Sequence, residues 1–503
     1  MYSGGHLVIG AECGMRIGTG HVMRCMALAQ RWRHAGGGVT FVVPEGSAGI
    51  EERTRGEGFS METIAAGKFC EAAVERMIEL QPQVAVLDGY GFDGAAQAAL
   101  NGAGVALMAI DDYGHATEYC ARWILNQGVN ADAEMYARRS EDTKLLLGPD
   151  YALLRDEFLP WMNWERAIVT KARKILVTIG GSDPENLSLR IGECVAALGR
   201  AELEVAIVVG GSNPHIRSLE QAAERSAAAT RIVNNALDMP SLMAWADVAI
   251  SGAGGTSYEL CFMGLPALLF VIAENQRGGA EGLAKLGAAV SAGGAREFDA
   301  QRFAGELQDL IDGEDRRQVM SRRARELVDG LGADRVRAAL ADREIRLRAL
   351  RATDCELLFS WANDLAVREA SFRSNRILWE EHERWFAEKS RDPQTVIYVG
   401  ESVAGEPVGQ VRFELEGESA TLSVVVAPKF RGAGWGKELL FFSTRRLART
   451  RSTRHVRAFV KPENRASIRL FESSGFRQAE VSEVLGQAAR LFVWECGSDH
   501  DAA

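Results

Sequence analysis

Short, continuous apolar runs recur along the first two-thirds of the chain, separated by segments long enough for helices. "HLVIGAE", "VTFVVP", "VAVLDGYG", "VALMAIDD" and "RWILNQ" make a first series, and "RKILVTIGG", "LEVAIVVGGS", "ADVAISGAGG" and "LPALLFVI" make a second. Runs that are apolar throughout, with helices between them, predict strands of a parallel sheet covered on both faces. Two series predict two Rossmann-like halves, residues 1–155 and 156–342, joined near "LLLGPDYALLRDEF". A helical Arg/Glu-rich stretch from Glu314 to about Arg343 ends the second half. The pattern then changes. "EIRLRALRATDCELLFSWAND" predicts strand, turn and helix, and "PVGQVRFELEGESATLSVVVAP" predicts an antiparallel meander, so an α+β domain is expected over residues 343–503. The fold class expected is α/β in two halves, followed by α+β.

Within this frame three glycine turns stand out. After Gly20, apolar residues at Val22, Met26, Ala29 and Trp32 form a helical stripe that ends in "HAGGG". The turn before it, "RIGTG", lacks the third glycine of a dinucleotide fingerprint, because Met23 stands there, and His21 follows Gly20. A helix N-terminus favours anions and disfavours imidazolium. A neutral His21 beside a phosphate-bearing substrate can act as a general base; the alternative is a capping or solvent-facing histidine. The second turn contains Gly252, Gly254 and Gly255 and leads into a helix starting near Thr256. There Thr256 and Ser257 can grip a diphosphate and Glu259 can accept bonds from ribose hydroxyls, or the segment is a plain strand-to-helix connection with an exposed glutamate. "TIGGSDPENLS" either borders the same cleft or is only a β–α loop. In the third turn, Val424–Val426 read as a strand, the glycine run from Arg431 to Gly436 follows, and Leu439, Leu440 and Phe442 lie on the next helix. Its backbone amides suit a pyrophosphate.

Composition narrows the classes. The formal net charge is -10. Residues 343–503 hold 25 Lys and Arg against 23 Asp and Glu, a net of +2, and the remainder, 33 against 45, carries -12. An acidic first two-thirds argues against a nucleic-acid partner. The eight cysteines include no C-x-x-C pair, and the eight histidines form neither H-x-x-x-H nor H-E-x-x-H, so no metal is expected. No apolar run approaches the roughly 20 residues that span a bilayer, and the start lacks a basic segment before an apolar one. A cytoplasmic protein without a membrane partner is expected.

"GTGHVMRCMALA", "IDDYGHA", "LLLGPDYALLRDEF", "TIGGSDPENL" and "SGAGGTSYELCFMGLP", spread from Leu7 to Gly330, resemble the PseG family of nucleotide-sugar hydrolases, which are similar to MurG-type glycosyltransferases of GT-B architecture. The resemblance implies metal-free hydrolysis of UDP-2,4-diacetamido-2,4,6-trideoxy-β-L-altropyranose by water attack at the anomeric carbon, with His21 as base. It places Gly254, Gly255, Thr256, Ser257 and Glu259 on the UDP side, and Gly18, Gly20, Arg24, Gly181, Ser182, Asn186, Asn275 and Gln276 around the UDP-sugar. "VVVAPKFRGAGWGKELLFF" and "VKPENRASIRLFESSGF" resemble the GNAT superfamily of N-acetyltransferases, which implies acetyl-CoA as co-substrate along Val424, Val425, Val426, Arg431, Gly432, Gly434, Gly436, Lys437 and Asn464. Phe471 stands where that family commonly has a tyrosine acid and has no proton to give, so Ser467, Ser473 or a water is left for the role. "WEEHERWF" resembles the acceptor-side helix of PseH-like acetyltransferases, where His382 either meets the amine or is a surface histidine. PseH-type enzymes acetylate the 4-amino group of the UDP-sugar that PseG-type enzymes hydrolyse. The resemblance therefore implies a bifunctional enzyme of pseudaminic acid biosynthesis acting on small-molecule UDP-sugars. Two other readings are a GT-B glycosyltransferase fused to an N-acetyltransferase, and a nucleotide-sugar and acetyl-CoA sensing module with degenerate sites.

Overall fold

A computed structural model describes residues 5–14, 17–46, 48–181, 183–211, 213–451 and 453–496. The chain forms two compact units, Tyr2–Arg337 and Ala338–Ala503.

Tyr2–Arg337 contains two parallel sheets. In the first, β1 (His6–Ala11), β2 (Gly38–Pro44), β3 (Ser60–Ile64), β4 (Val84–Asp88), β5 (Ala106–Ile110), β6 (Trp123–Asn126) and β7 (Lys144–Leu147) lie in the order β3-β2-β1-β4-β5-β6-β7. In the second, β8 (Lys174–Thr178), β9 (Glu204–Val209), β10 (Ala229–Asn234), β11 (Val248–Gly252), β12 (Ala267–Val271) and β13 (Val290–Gly294) lie in the order β10-β9-β8-β11-β12-β13. The central strands are the apolar runs of the sequence; Leu7, Val8 and Ile9 of β1 are fully buried because helices cover both faces. The edge strands β3, β7, β10 and β13 were not among those runs. An edge strand has one open flank and keeps polar residues, and none of the six residues of β10 is fully buried. Strand order reverses between β1 and β4 and again between β8 and β11. Open α/β sheets bind ligands beyond the carboxyl ends of the strands at such switch points.

The helical stretch expected from Glu314 to Arg343 is two helices, Glu314–Leu327 and Gly332–Leu340. The break falls at Gly330, whose φ is +83° and where a Cβ would sit 2.7 Å from the Phe262 ring. The chain then returns to the first half, with Arg335 donating to the Asp150 carbonyl at 2.7 Å. Two arginines that, among the described residues, have no carboxylate partner shape the crossing between the sheets, Arg317 buried and Arg166 half-buried. Arg317 donates to the carbonyls of Leu310, Ile311, Val169 and Thr170, and Arg166 to those of Met243, Ala246 and Met263. Most of these carbonyls close helices, where cations complement the dipole.

After β5 the chain turns sharply around Asp111, which is fully buried. Its carboxylate accepts the N–H groups of Tyr113 and Gly114 at 2.7 Å and the Tyr119 hydroxyl, and His115 Nδ1 lies 2.7 Å away. Burial alone would raise this carboxyl, but His115 and Tyr119 outweigh it and hold it at about 2.

Ala338–Ala503 holds a mixed sheet of β14 (Ile345–Ala349), β15 (Thr395–Ser402), β16 (Pro407–Glu416), β17 (Ser419–Val426), β18 (His455–Val460), β19 (Arg477–Val484) and β20 (Gln487–Glu495), in the order β14-β15-β16-β17-β18-β20-β19. Neighbours are antiparallel except β17 and β18, which run parallel and pair only over Ser419–Thr421 with His455–Arg457. Beyond Thr421 these two strands part, and β17 keeps an open backbone flank. Among the described residues no helix is long and apolar enough to cross a membrane.

Arg317→Ala strands the buried carbonyls of Leu310 and Ile311 and should cost about 3 kcal/mol in urea unfolding; a loss under about 1 kcal/mol would mean that the carbonyls find other donors. Asp111 titrates lower in the folded chain than its ordinary 3.8. It therefore adds stability above about pH 4, on the order of 2 kcal/mol, that disappears as pH falls toward 2. Asp111→Asn should thus be less stable than the parent at neutral pH by an amount that shrinks through this window, a comparison that unfolding at stepped pH makes directly.

Candidate active site

The first switch point carries His21. The helix Gly20–His34 starts just before it, with Thr19 as an N-cap that makes no side-chain bond. The ring neither caps the helix nor faces solvent: it is 7% exposed, and its Nδ1 lies 2.6 Å from Oδ1 of Asp88. Asp88 is the last residue of β4 and fully buried. Arg24, one turn after His21, grips the same carboxylate with Nη2 at 2.6 Å and Nε at 2.7 Å. Nη2 also lies 3.2 Å from His21 Nδ1, but the far shorter contact to Asp88 assigns the Nδ1 proton to the carboxylate. Nε2 is then the lone-pair nitrogen, and among the described residues it has no partner. Burial would raise the Asp88 carboxyl, yet Arg24 and His21 outweigh it and hold it well below the ordinary carboxylate range.

The network continues across the unit. Arg24 Nη1 donates to Asp112 at 2.6 Å, the Tyr90 hydroxyl donates to Asp112 at 2.6 Å, and Asn275, from the second half, donates to the Tyr90 oxygen. Burial and the Asp112 charge push the Tyr90 phenol well above its usual range. The Tyr90 ring stands edge-on to His21 at 5.1 Å. Asp88, Tyr90 and Asp112 were not among the residues singled out in the sequence, although they stand in "VAVLDGYG" and "IDDYGHA". The signal was an acid or tyrosine placed directly after a wholly apolar strand.

The second switch point faces the first. A Cβ on Gly181, after β8, would lie 3.4 Å from Thr19 Oγ1. After β11 the N–H groups of Gly254, Gly255 and Thr256 have no protein partner among the described residues. Ser257 is turned inward, its hydroxyl donating to the Gly254 carbonyl at 2.6 Å, so only its acceptor lone pairs remain. Gln276 accepts the Ile272 N–H with its Oε1, and its Nε2 lies over Gly254. Glu259 is not a free surface carboxylate: its Oε1 accepts Arg155 Nη2 at 2.9 Å, and burial raises its carboxyl above the ordinary range. Asn186 has a left-handed backbone and directs its amide to Ser218, leaving Oδ1 buried and unpaired. Ser182 lies outside the described residues. Gly18 has φ +81° and, like Gly20, would meet nothing with an added Cβ, so the first turn is open.

The unit Ala338–Ala503 has its own turn. The N–H groups from Gly432 to Gly436 lack protein partners among the described residues, and Gly432 and Gly434 have φ of +75° and +88°. A Cβ at Gly434 would lie 2.2 Å from Arg343 Nη1. The turn follows directly on Val424–Val426, whose flank toward β18 is open. Arg431 braces the loop, bonding the Val426 carbonyl at 2.9 Å and Asp364 at 2.8 Å. Lys437 is engaged within the protein. Asn464 caps the helix Arg465–Glu472 by accepting the Ser467 N–H, and its Nδ2 donates to the Ser467 hydroxyl. Phe471 is in the core, stacked on Phe492 at 5.6 Å. Ser473 donates to the Leu470 carbonyl. His382 is not the surface histidine that was one of its two expectations. The ring is 3% exposed, is packed among Phe359, Trp379, Trp385 and Phe386, and bonds the Cys355 carbonyl through Nε2 at 2.9 Å. The helix Trp379–Lys389 turns it inward to join the packed face.

Two segments match known domains: residues 174–331 the glycosyltransferase family 28 C-terminal domain, and residues 344–477 the acetyltransferase (GNAT) domain. An uncharacterized protein of Methanocaldococcus jannaschii is 22% identical over 488 residues, covering 94% of this chain and 97% of that protein. The spore coat polysaccharide biosynthesis protein SpsG of Bacillus subtilis is 27% identical over 219 residues, 43% of this chain and 63% of that protein. A Helicobacter pylori protein named pseudaminic acid cytidylyltransferase and UDP-2,4-diacetamido-2,4,6-trideoxy-β-L-altropyranose hydrolase is 30% identical over 179 residues, 34% of this chain and 30% of that protein. The chain thus spans less than two thirds of the length of the latter two relatives. Parallel sheets meeting at facing switch points, a mixed sheet parted beside a glycine turn, and these matches lead to one conclusion: the chain joins a two-sheet α/β module, whose second half matches the glycosyltransferase family 28 C-terminal domain, to an α+β unit that matches the acetyltransferase (GNAT) domain.

Proposed function

We propose that the chain carries out two consecutive steps of pseudaminic acid biosynthesis: acetylation of a 4-amino UDP-sugar with acetyl-CoA, then hydrolysis of the resulting UDP-2,4-diacetamido-2,4,6-trideoxy-β-L-altropyranose to UDP and free sugar. The observation that carries the hydrolytic step is the 2.6 Å bond from His21 Nδ1 to Asp88, which leaves Nε2 as a base at the switch point facing the second glycine turn. The name of the Helicobacter pylori relative supports the choice of substrate.

In the hydrolytic step the diphosphate lies against the N–H groups of Gly254, Gly255 and Thr256, and Glu259 accepts bonds from the ribose. His21 Nε2 takes a proton from water as the water oxygen bonds to the anomeric carbon. The bond from that carbon to the phosphate oxygen breaks, and UDP leaves as an anion. Asp88 stabilises the imidazolium that forms, while backbone donors and the helix dipole stabilise the departing diphosphate. In the other unit, the N–H groups from Gly432 to Gly436 take the CoA pyrophosphate, and the open flank of β17 pairs with the pantetheine arm. The amine nitrogen bonds to the thioester carbon and the carbon–sulfur bond breaks. The nitrogen gives up one proton to water, and the departing thiolate takes a proton from water, since Phe471 has none to give.

His21→Ala should slow hydrolysis by about 10²–10⁴-fold while UDP affinity stays within a few-fold. Supplied with the 4-amino UDP-sugar and acetyl-CoA, this variant should accumulate the acetylated UDP-sugar. Near-normal hydrolysis would remove His21 as base, sugar release only with an added hydroxyl acceptor would make the module a transferase, and no accumulation despite intact acetyl-CoA binding would break the two-step scheme. Gly434→Asp puts a side chain and a negative charge into the pyrophosphate turn. It should reduce acetyl transfer at least about 100-fold and leave hydrolysis unchanged, as separate assays of the two activities would register.

A further inference from the structure

The motif "LLLGPDYALLRDEF" plays no part in the chemistry above, yet it places one charged side chain, Arg155, at 7% exposure. Its backbone is clamped to the first half. Gln127 accepts the Leu153 N–H at 3.0 Å, Gln30 accepts the Asp156 N–H at 2.9 Å, and Arg31 pairs with the Asp156 carboxylate. From this base the Arg155 guanidinium reaches the second half. Nη2 donates to Glu259 Oε1 at 2.9 Å and lies 3.1 Å from Glu157 Oε1. Glu157 is held in turn by Arg53, whose Nη2 lies 2.8 and 3.1 Å from its two oxygens. The charges alternate along Arg53, Glu157, Arg155 and Glu259. Nε of Arg53 and Nε of Arg155 are buried without partners, so each guanidinium is oriented toward carboxylates at the expense of its own remaining donor.

We propose that Arg155 is a positioning residue for nucleotide binding, which holds Glu259 turned so that its other oxygen accepts the ribose hydroxyls. This rests on the reading of Glu259 as the ribose acceptor. Glu259 Oε2 has no protein partner among the described residues, and a charge-assisted bond at Oε1 fixes where Oε2 points. Three charged groups face Glu259: Arg155 and Glu157 from the connector, and Arg53 from the helix Ala48–Gly56. Burial raises the Glu259 carboxyl, Arg155 is the strongest opposing influence, Glu157 adds to burial, and Arg53 opposes it weakly. Without Arg155 the carboxyl takes up a proton at higher pH and loses an acceptor. The ionised form binds, so affinity is present above the carboxyl's pKa and is lost as pH falls through it.

The test is UDP binding to the full chain by calorimetry between pH 8 and pH 6, read as the ratio of wild-type to variant affinity so that titration of UDP itself cancels. R155Q should bind UDP roughly tenfold more weakly at pH 8, and the ratio should widen as pH falls. In an E259Q background, R155Q should have no further effect. Equal affinity of R155Q and wild type across the range, or additive losses in the double variant, overturns the proposal. Wild-type affinity in E259Q overturns instead the reading of Glu259 beneath it. Should R155Q not fold, R155K carries the test: it keeps the charge without the planar fork, so affinity should fall several-fold with the pH profile unchanged, and undiminished affinity overturns the proposal.

Discussion

One buried carboxylate organises the first switch point. Asp88 has no exposure, and burying an ion there is costly unless it is fully paired. Arg24 and His21 both meet it, and they come from one face of one helix because three residues nearly complete a turn. The pairing sets the histidine tautomer, orients Arg24 toward Asp112, and through Tyr90 reaches Asn275 in the other half. A chain of hydrogen bonds thus links His21 at one switch point to the loop beside the other. Removing Asp88 would leave Arg24 underpaired and the ring free to flip, so structural and chemical roles are joined in one residue.

The two glycine turns share one design. The first two-thirds of the chain carries a net of -12, and among the described residues the N–H groups of its glycine turn at Gly254–Thr256 have no protein partner. The same device recurs from Gly432 to Gly436. Glycine lets the backbone approach the phosphates, and the following helix adds the positive end of its dipole. Arg431, at the start of the second turn, bonds Val426 and Asp364 and so acts on the shape of the loop. In the first unit Arg166 and Arg317 likewise meet carbonyls, and hold the connector between the sheets. In these places arginine builds the frame rather than the turn itself.

The central strands were legible in the sequence because a strand buried on both faces has to be apolar at every position, as "HLVIGAE" and "VAVLDGYG" are. The fold class followed from their alternation with helices. The edge strands β3, β7, β10 and β13 escaped because an open flank relaxes that demand. The glycine turns were legible too, since positive φ at Gly432 and Gly434 suits no other residue as well. What local pattern could not carry was the partner of each polar side chain. Asp88 lies 67 residues from His21, Arg155 lies 104 residues from Glu259, and Asn275 lies 185 residues from Tyr90. His382 looked available on an amphipathic helix until packing turned it among aromatic rings. By itself the sequence determined where the strands, turns and helix starts lie, because those depend on burial and backbone conformation within a few residues. The tertiary structure alone decided which charges meet, because a buried ion is stable only beside a partner that the folding of distant strand ends brings to it.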